Sequence, residues 1–237
     1  HPLQMYQALE AAAEKTSKKL VLIECGWFAN DHIKNAFSSA AEKICPSVRI
    51  IKLDGRAQQQ REQAWSCADI FCSLSDNIQE TFGIVPLEGM AAGLPVVVSD
   101  WNGYKDSVLD GVEGYRVPSI SPEPGLESDL AYRHAMGIDT YDMYCGFSSA
   151  FVGINTEILV DVFCRLIEDK NLRLSMGHAG REKVKSTYDW IHIIKRYEEF
   201  WEELSLLRKN STKMHSVKKL QPRFLDPSQA FSHYPTQ

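Results

Sequence analysis

The chain has 237 residues, 44% hydrophobic and 24% charged, with a formal net charge of −5. These proportions fit an ordinary soluble globular protein of one domain or a small pair. They give no general electrostatic footprint for nucleic acid, and no apolar run nears the roughly 20 residues that span a bilayer. Six cysteines (25, 45, 67, 72, 145 and 164) form no CxxC pair and no zinc spacing. They predict free thiols in a reducing, cytoplasmic setting. No signal peptide is recognisable at the start, and His1-Pro2-Leu3 reads as the entry to a helix cut from a longer protein.

Leu3 to Lys15 is rich in Ala and Glu and predicts a helix. Leu20 to Cys25 is a continuous apolar strand of the kind buried on both faces of a parallel sheet. Gly26 to Asp31 is a loop, with Asn30 or Asp31 placed to cap a helix running to Ile44. Val48 to Leu53 is the next strand, Gly55-Arg56 a turn, Gln58 to Cys67 a polar helix and Ala68 to Leu74 a third strand. After a polar loop, Gly83 to Ala92 has helix composition and Leu94 to Val98 is a fourth strand. Gly114 to Val117 is the last short one. Regular alternation of strand and helix predicts an α/β fold, a Rossmann-like parallel sheet flanked by helices with right-handed crossovers. Ligands in such sheets bind beyond the carboxyl ends of the strands, so the loops at 26–31, 54–57, 75–82 and 99–103 should share one rim.

Residues 119–150 lack a clear period and read as an irregular insertion, either a surface excursion or a lid or partner contact. Helices follow at Asn155 to Asp169 and Asn171 to Lys185. Asp189 then caps a long amphipathic helix in which Trp190, Ile194, Tyr197, Trp201 and Leu204 recur at helical spacing. Core packing is the expectation for that stripe. From Lys209 the tail is polar, carries Pro222, Pro227 and Pro235, and is expected to be mobile. The domain reading is therefore one unit over 1–208 and a tail over 209–237.

Chemistry concentrates between Ser73 and Gly103. Gly83 lets a ligand approach the backbone, and the N–H groups of Gly83, Ile84 and Val85 lie at a helix start, where donors are unpaired and the dipole favours anions. Pro86 marks that start independently, because it fits only a first turn. Glu80 precedes the opening and Glu88 lies about one turn inside. Helix termini suit phosphate, and carboxylates suit vicinal hydroxyls. An anion site between two carboxylates matches a ligand with hydroxyls on both sides of a phosphate, which is the shape of a nucleotide sugar.

Glu80-x7-Glu88, with Phe82-Gly83 inside it and Met90-Ala91-Ala92-Gly93-Leu94-Pro95-Val96-Val97 after it, resembles the signature of the retaining glycosyltransferases of family four. The likeness continues through Asn102-Gly103, Asp110-Gly111 and Gly114, over roughly residues 1 to 205 with a gap near 121–150. It implies one half of a GT-B fold: the C-terminal, nucleotide-sugar-binding domain, ending in a long helix that crosses back onto the N-terminal domain. On that crossing, part of the Trp190–Leu204 stripe would form an interdomain surface. The resemblance implies that Glu80 bonds the transferred sugar and faces its anomeric carbon, with Glu88 clasping the ribose. Phe82, Gly83, Ile84 and Val85 would act through the backbone on sugar and distal phosphate. Arg56 and Ala57 occupy the loop that holds the base, and Gly26 follows the first strand where the family has a glycine turn. Glu24-Cys25-Gly26-Trp27 and Leu74-Ser75 depart from the family's common Val-Gly-x-Gly and Pro-Ser.

The chain has no Asp-x-Asp triplet, GxxxxGK[ST], GxGxxG after a strand or GxSxG. Together with the resemblance, this leads to a hexosyl-type transferase that uses a nucleotide-diphosphate sugar and needs neither metal nor cofactor. The Arg and Lys that clamp the diphosphate in the family, and its N-terminal acceptor domain, are not in the chain, so the isolated chain is expected to bind donor weakly and transfer negligibly. Two alternatives stay open: a nucleotide-sugar 2-epimerase of the same fold, and a non-catalytic nucleotide-sugar-binding module.

Overall fold

Strand and helix alternate through the first half of the computed structural model, which describes residues 2–211 and 226–236. α1 (Pro2–Thr16) leads into β1 (Val21–Gly26), α2 (Asp31–Ile44), β2 (Arg49–Asp54) and α3 (Gln58–Cys67). β3 (Phe71–Ser73), α4 (Ile84–Ala91), β4 (Val96–Ser99), α5 (Tyr104–Ser107) and β5 (Gly114–Val117) follow. Every pairing among these strands is parallel. β1 pairs β2 from Val21 opposite Arg49 to Gly26 opposite Asp54, while β4 lies between β3 and β5. The architecture is α/β, with parallel sheets flanked by helices.

The pairing comes as two sheets, β1-β2 and β3-β4-β5. α1 joins them through its small residues. Ala8 and Ala12 enter the core formed by Val97, Val117, Leu159, Phe163 and Leu166, whereas Tyr6 and Ala13 pack with Ala41, Cys45 and Val48 beside Leu22 and Ile50. β4 is the strand buried on both faces: Val96, Val97 and Val98 are all at 0% exposure. β1 does not meet that expectation, because Val21 and Cys25 are exposed and its middle is only half-buried. A two-stranded sheet lacks the second neighbour that closes β4 in.

Beyond β5 come β6 (Ser119–Ile120), α6 (Ser128–Ala135), α7 (Tyr141–Ala150) and β7 (Gly153–Ile154), with β6 and β7 antiparallel. The stretch expected to be irregular thus holds two helices and a strand. Leu130, Ala131, Tyr144 and Cys145 bury against Ile78 and Trp101, giving it a small core of its own. α8 (Thr156–Glu168) and α9 (Lys170–Lys183) follow, and a five-residue π-helical segment, Val184–Tyr188, precedes α10 (Trp190–Asn210).

α10 corrects the core-packing expectation. None of its residues is buried, and Trp190, Ile194, Tyr197 and Trp201 are all more than half exposed. Periodicity specified an apolar face, and that face is exposed among the described residues. The expected mobile tail lies partly outside the described residues, at 212–225. Its last stretch is packed: α11 (Pro227–Ala230) is capped by Asp226, and Tyr234 is buried edge-on against Trp101 at 5.4 Å. Its backbone also satisfies groups that would otherwise be orphaned, as Asn102 N–H donates to the Tyr234 carbonyl at 2.9 Å and Lys105 Nζ to the Pro235 carbonyl at 2.6 Å.

Candidate functional site

The polar loop between β3 and α4 is braced from its far side. Trp101 Nε1 donates to the Asn77 carbonyl at 3.1 Å, and the Asn102 side-chain amide donates to the carbonyls of Glu80 (3.3 Å) and Thr81 (3.4 Å). Glu80 N–H bonds the Asn77 carbonyl at 2.9 Å. Gly103 is required here because a Cβ on it would lie 2.2 Å from the Thr81 carbonyl oxygen. The Asn102-Gly103 pair of the sequence motif therefore seats the loop that carries Glu80.

Gly83 is the N-cap of α4 with φ +75°, in the left-handed region, and no side chain caps the helix. A Cβ there would suffer twice, from the positive φ and from the Tyr104 ring 2.0 Å away. The first-turn N–H groups of Ile84 and Val85 have no helical acceptor. Ile84 and Val85 are 64% and 48% exposed, whereas Gly83 itself is buried against the Tyr104 ring. Pro86, the third residue of α4, is buried, as are Leu87 and Met90, which pack on Val96, Val98 and Val108. Phe82 is held edge-on by Tyr188 at 6.1 Å. Glu80 is half-buried beside this opening, and Glu88 is exposed on the body of the helix.

Gly26, Arg56 and Ala57 gather at the carboxyl ends of β1 and β2. Gly55 N–H donates to the Gly26 carbonyl at 2.9 Å. Arg56 folds back onto Asp54, with Nε and Nη2 each 2.9 Å from a carboxylate oxygen. That bidentate bond holds the Asp54 carboxyl down at about 2. Ala57 is the N-cap of α3 and supplies no side-chain bond. The nine expected site residues thus form two groups, each following its strands. Phe71 of β3 joins their helices, as it packs on Trp65 of α3 at 5.3 Å and lies against Gly89 of α4.

Sequence reasoning passed over Tyr104. Its side chain is 1% exposed, and its hydroxyl lies 3.0 Å from Ser73 Oγ and 3.3 Å from Glu80 Oε2. Burial, with the Glu80 charge adding, pushes the phenol up to about 12. Its only trace in the sequence is its place directly after Asn102-Gly103. A hollow of about 300 Å³ between α6 and Asp226, lined by Ser128, Ala131 and Tyr132, belongs to the docked tail and not to the α4 tip. No helix among the described residues is long and apolar enough to cross a membrane.

The fold is that of a GT-B glycosyltransferase domain. The family model for glycosyl transferases group 1 matches residues 3–124, half of the chain, and the chain belongs to that family. A phosphatidyl-myo-inositol mannosyltransferase of Mycobacterium leprae is 46% identical over 57 residues, which cover 24% of this chain and 15% of that relative. A lipopolysaccharide 1,2-N-acetylglucosaminetransferase of Salmonella typhimurium is 24% identical over 149 residues, 63% of this chain and 30% of that relative. Among solved structures, Anabaena HepE in complex with UDP-glucose superposes with a TM-score of 0.55 at 17% identity, over 86% of this chain and 46% of that one. The likeness of structure shows the fold alone, and the chain spans less than half of each of these proteins.

Proposed function

We propose that residues 1–208 form the donor-binding domain of a retaining glycosyltransferase, which holds a nucleotide-diphosphate sugar at the tip of α4. What supports this most is one observation: α4 opens on a left-handed glycine with no side-chain cap, and its first two residues, Ile84 and Val85, are exposed. Gly83, Ile84 and Val85 donate backbone N–H groups to the distal phosphate and sugar, and Phe82 shapes the approach. Glu88 clasps the ribose hydroxyls. Gly26, Arg56 and Ala57 take the base. Arg56 can do so through its backbone carbonyl without leaving Asp54, which accepts from its guanidinium and its N–H.

The reaction of the whole enzyme breaks the bond between the anomeric carbon and the diphosphate, and forms one from the acceptor oxygen to that carbon on the same face. The hydroxyl proton passes to the departing phosphate. Glu80 faces the anomeric carbon and stabilises the positive charge that builds there. Amides and the helix dipole meet the negative charge on the leaving group, which is what a metal ion would otherwise do. Acceptor and linkage are set by an N-terminal domain that completes the cleft, and the exposed α10 stripe suits a surface lying between the two.

A ligand that binds only the folded state raises the apparent melting temperature. UDP-, GDP- and ADP-sugars are therefore each tested by thermal shift on the 237-residue chain. One base class is expected to raise Tm, with the rise lost in Glu88→Ala. No rise with any of the three, or a rise that Glu88→Ala leaves intact, would contradict the assignment.

A further inference from the structure

One buried side chain touches both halves of the α4 opening. Tyr104 begins α5, where its backbone N–H bonds the Trp101 carbonyl at 2.9 Å. Its ring lies directly against Gly83, and its hydroxyl reaches Glu80 Oε2 at 3.3 Å. A carboxylate only accepts, so the phenol donates its single proton to Glu80. Ser73 Oγ, 3.0 Å away at the end of β3, must then donate to the phenol oxygen, which Ser75 also bonds. The relay runs Ser73 to Tyr104 to Glu80 in one direction. With the phenol pushed up to about 12 by burial, that proton stays in place at every working pH. Asn102, two residues earlier, holds the Glu80 carbonyl at 3.3 Å. Backbone and carboxylate of the same residue are thus fixed from one turn.

We propose that Tyr104 is a positioning residue, whose hydroxyl holds the Glu80 carboxylate at the fixed height at which its ring supports the α4 amides. This rests on the donor-site reading above. A freely rotating glutamate would lose side-chain entropy on meeting a sugar, and a pre-oriented one has already lost it.

The test is isothermal titration of the full chain with UDP-glucose, GDP-mannose and ADP-glucose, each against its bare nucleoside diphosphate. The pair in which the sugar adds affinity is carried forward. Tyr104→Phe keeps the ring beneath Gly83. It is expected to leave the bare nucleotide within about twofold and to weaken the nucleotide sugar about fivefold to tenfold, as loss of a hydrogen bond to a charged group does. In a Glu80→Ala background, which leaves the hydroxyl no side-chain acceptor there, the same substitution should cost nothing further, a coupling that a merely structural tyrosine would not show. Ser73→Ala is expected to move the same ratio in the same direction, and it answers the question if Tyr104→Phe does not fold. If Glu80→Gln weakens the sugar and neither Tyr104→Phe nor Ser73→Ala does, the positioning role is overturned and the donor site stands. If no pair gains from its sugar, or Glu80→Gln leaves the gain intact, the donor-site reading falls and takes this proposal with it.

Discussion

The start of α9 and the start of α4 solve the same problem in opposite ways. At α9, Asp169 accepts from the Leu172 N–H at 2.9 Å, and the helix closes its own end. Asn30, Asn155 and Asp189 do the same for α2, α8 and α10. At α4 the cap is Gly83, which has no side chain to offer. α3 and α6 also lack a capping side chain, but neither begins on a left-handed glycine backed by a buried aromatic ring. A glycine cap forgoes roughly a few tenths of a kcal/mol against Ser, Asn or Asp. The difference teaches that α9 spends its first-turn donors on stability, whereas α4 leaves its own without a side-chain cap, as the proposed donor site requires.

The comparison is broken most severely by Gly83→Ala. A non-glycine residue in the left-handed region costs about 1–2 kcal/mol, and the clash with Tyr104 adds to it. A Tm drop of at least about 4 °C and loss of every nucleotide response are expected from calorimetry with and without ligand. Asp169→Ala is the counterpart. It should cost about 1 kcal/mol, a drop of roughly 2–4 °C, and leave the nucleotide response untouched. If both variants lost stability and binding alike, the two tips would not differ in kind.

The smallest expected effect lies at a third helix start, that of α11. Glu127 is buried facing the Asp226 cap, and its Oε1 has no hydrogen-bond partner among the described residues. Burial raises its carboxyl above the usual range, with the Asp226 charge adding, despite bonds from Ser228 and Ser148. The folded state therefore holds this proton more tightly than the unfolded chain. Its contribution is fully favourable below the unfolded value near 4.3 and is lost as pH rises through the raised one. Glu127→Gln should consequently be slightly more stable than the parent at pH 7, with the gap closing as pH falls toward 4. Denaturant midpoints across that range check the sign, and a gap that widens in acid would contradict it.

Local chemistry was the legible part of this chain. Asp189 caps where the sequence placed it, and of the two candidates Asn30 and Asp31 it is Asn30 that caps α2, because a cap needs only a short polar side chain and the next three residues. Gly83 and Pro86 marked the α4 opening for the same reason. The covering of surfaces was not legible, since it depends on segments distant in sequence. The Trp190–Leu204 stripe has helical period whether it faces a core or solvent, and here it faces solvent. β1 reads as apolar as β4, yet only β4 gains strands on both sides. The docking of 226–236 combines carbonyls that any residue supplies, the side chains of Asp226 and Thr236, and the rings of Tyr234 and Phe231, none at a telling spacing, so a proline-bearing polar tail gave no sign of it. Tyr104 was missed because one tyrosine between a turn and a lysine has no pattern. Its meaning comes from Gly83 and Glu80, more than twenty residues back.

The central claim is that the α4 tip holds a diphosphate through its own amides. Its most direct test is a backbone-amide titration of the 15N-labelled chain with UDP, GDP and ADP. With one of the three, the signals of Gly83, Ile84 and Val85 should move furthest and saturate along a single curve, while the capped first turn of α9 stays still. If a nucleotide binds and shifts amides elsewhere with Ile84 and Val85 unmoved, or if none of the three moves them, the account is wrong.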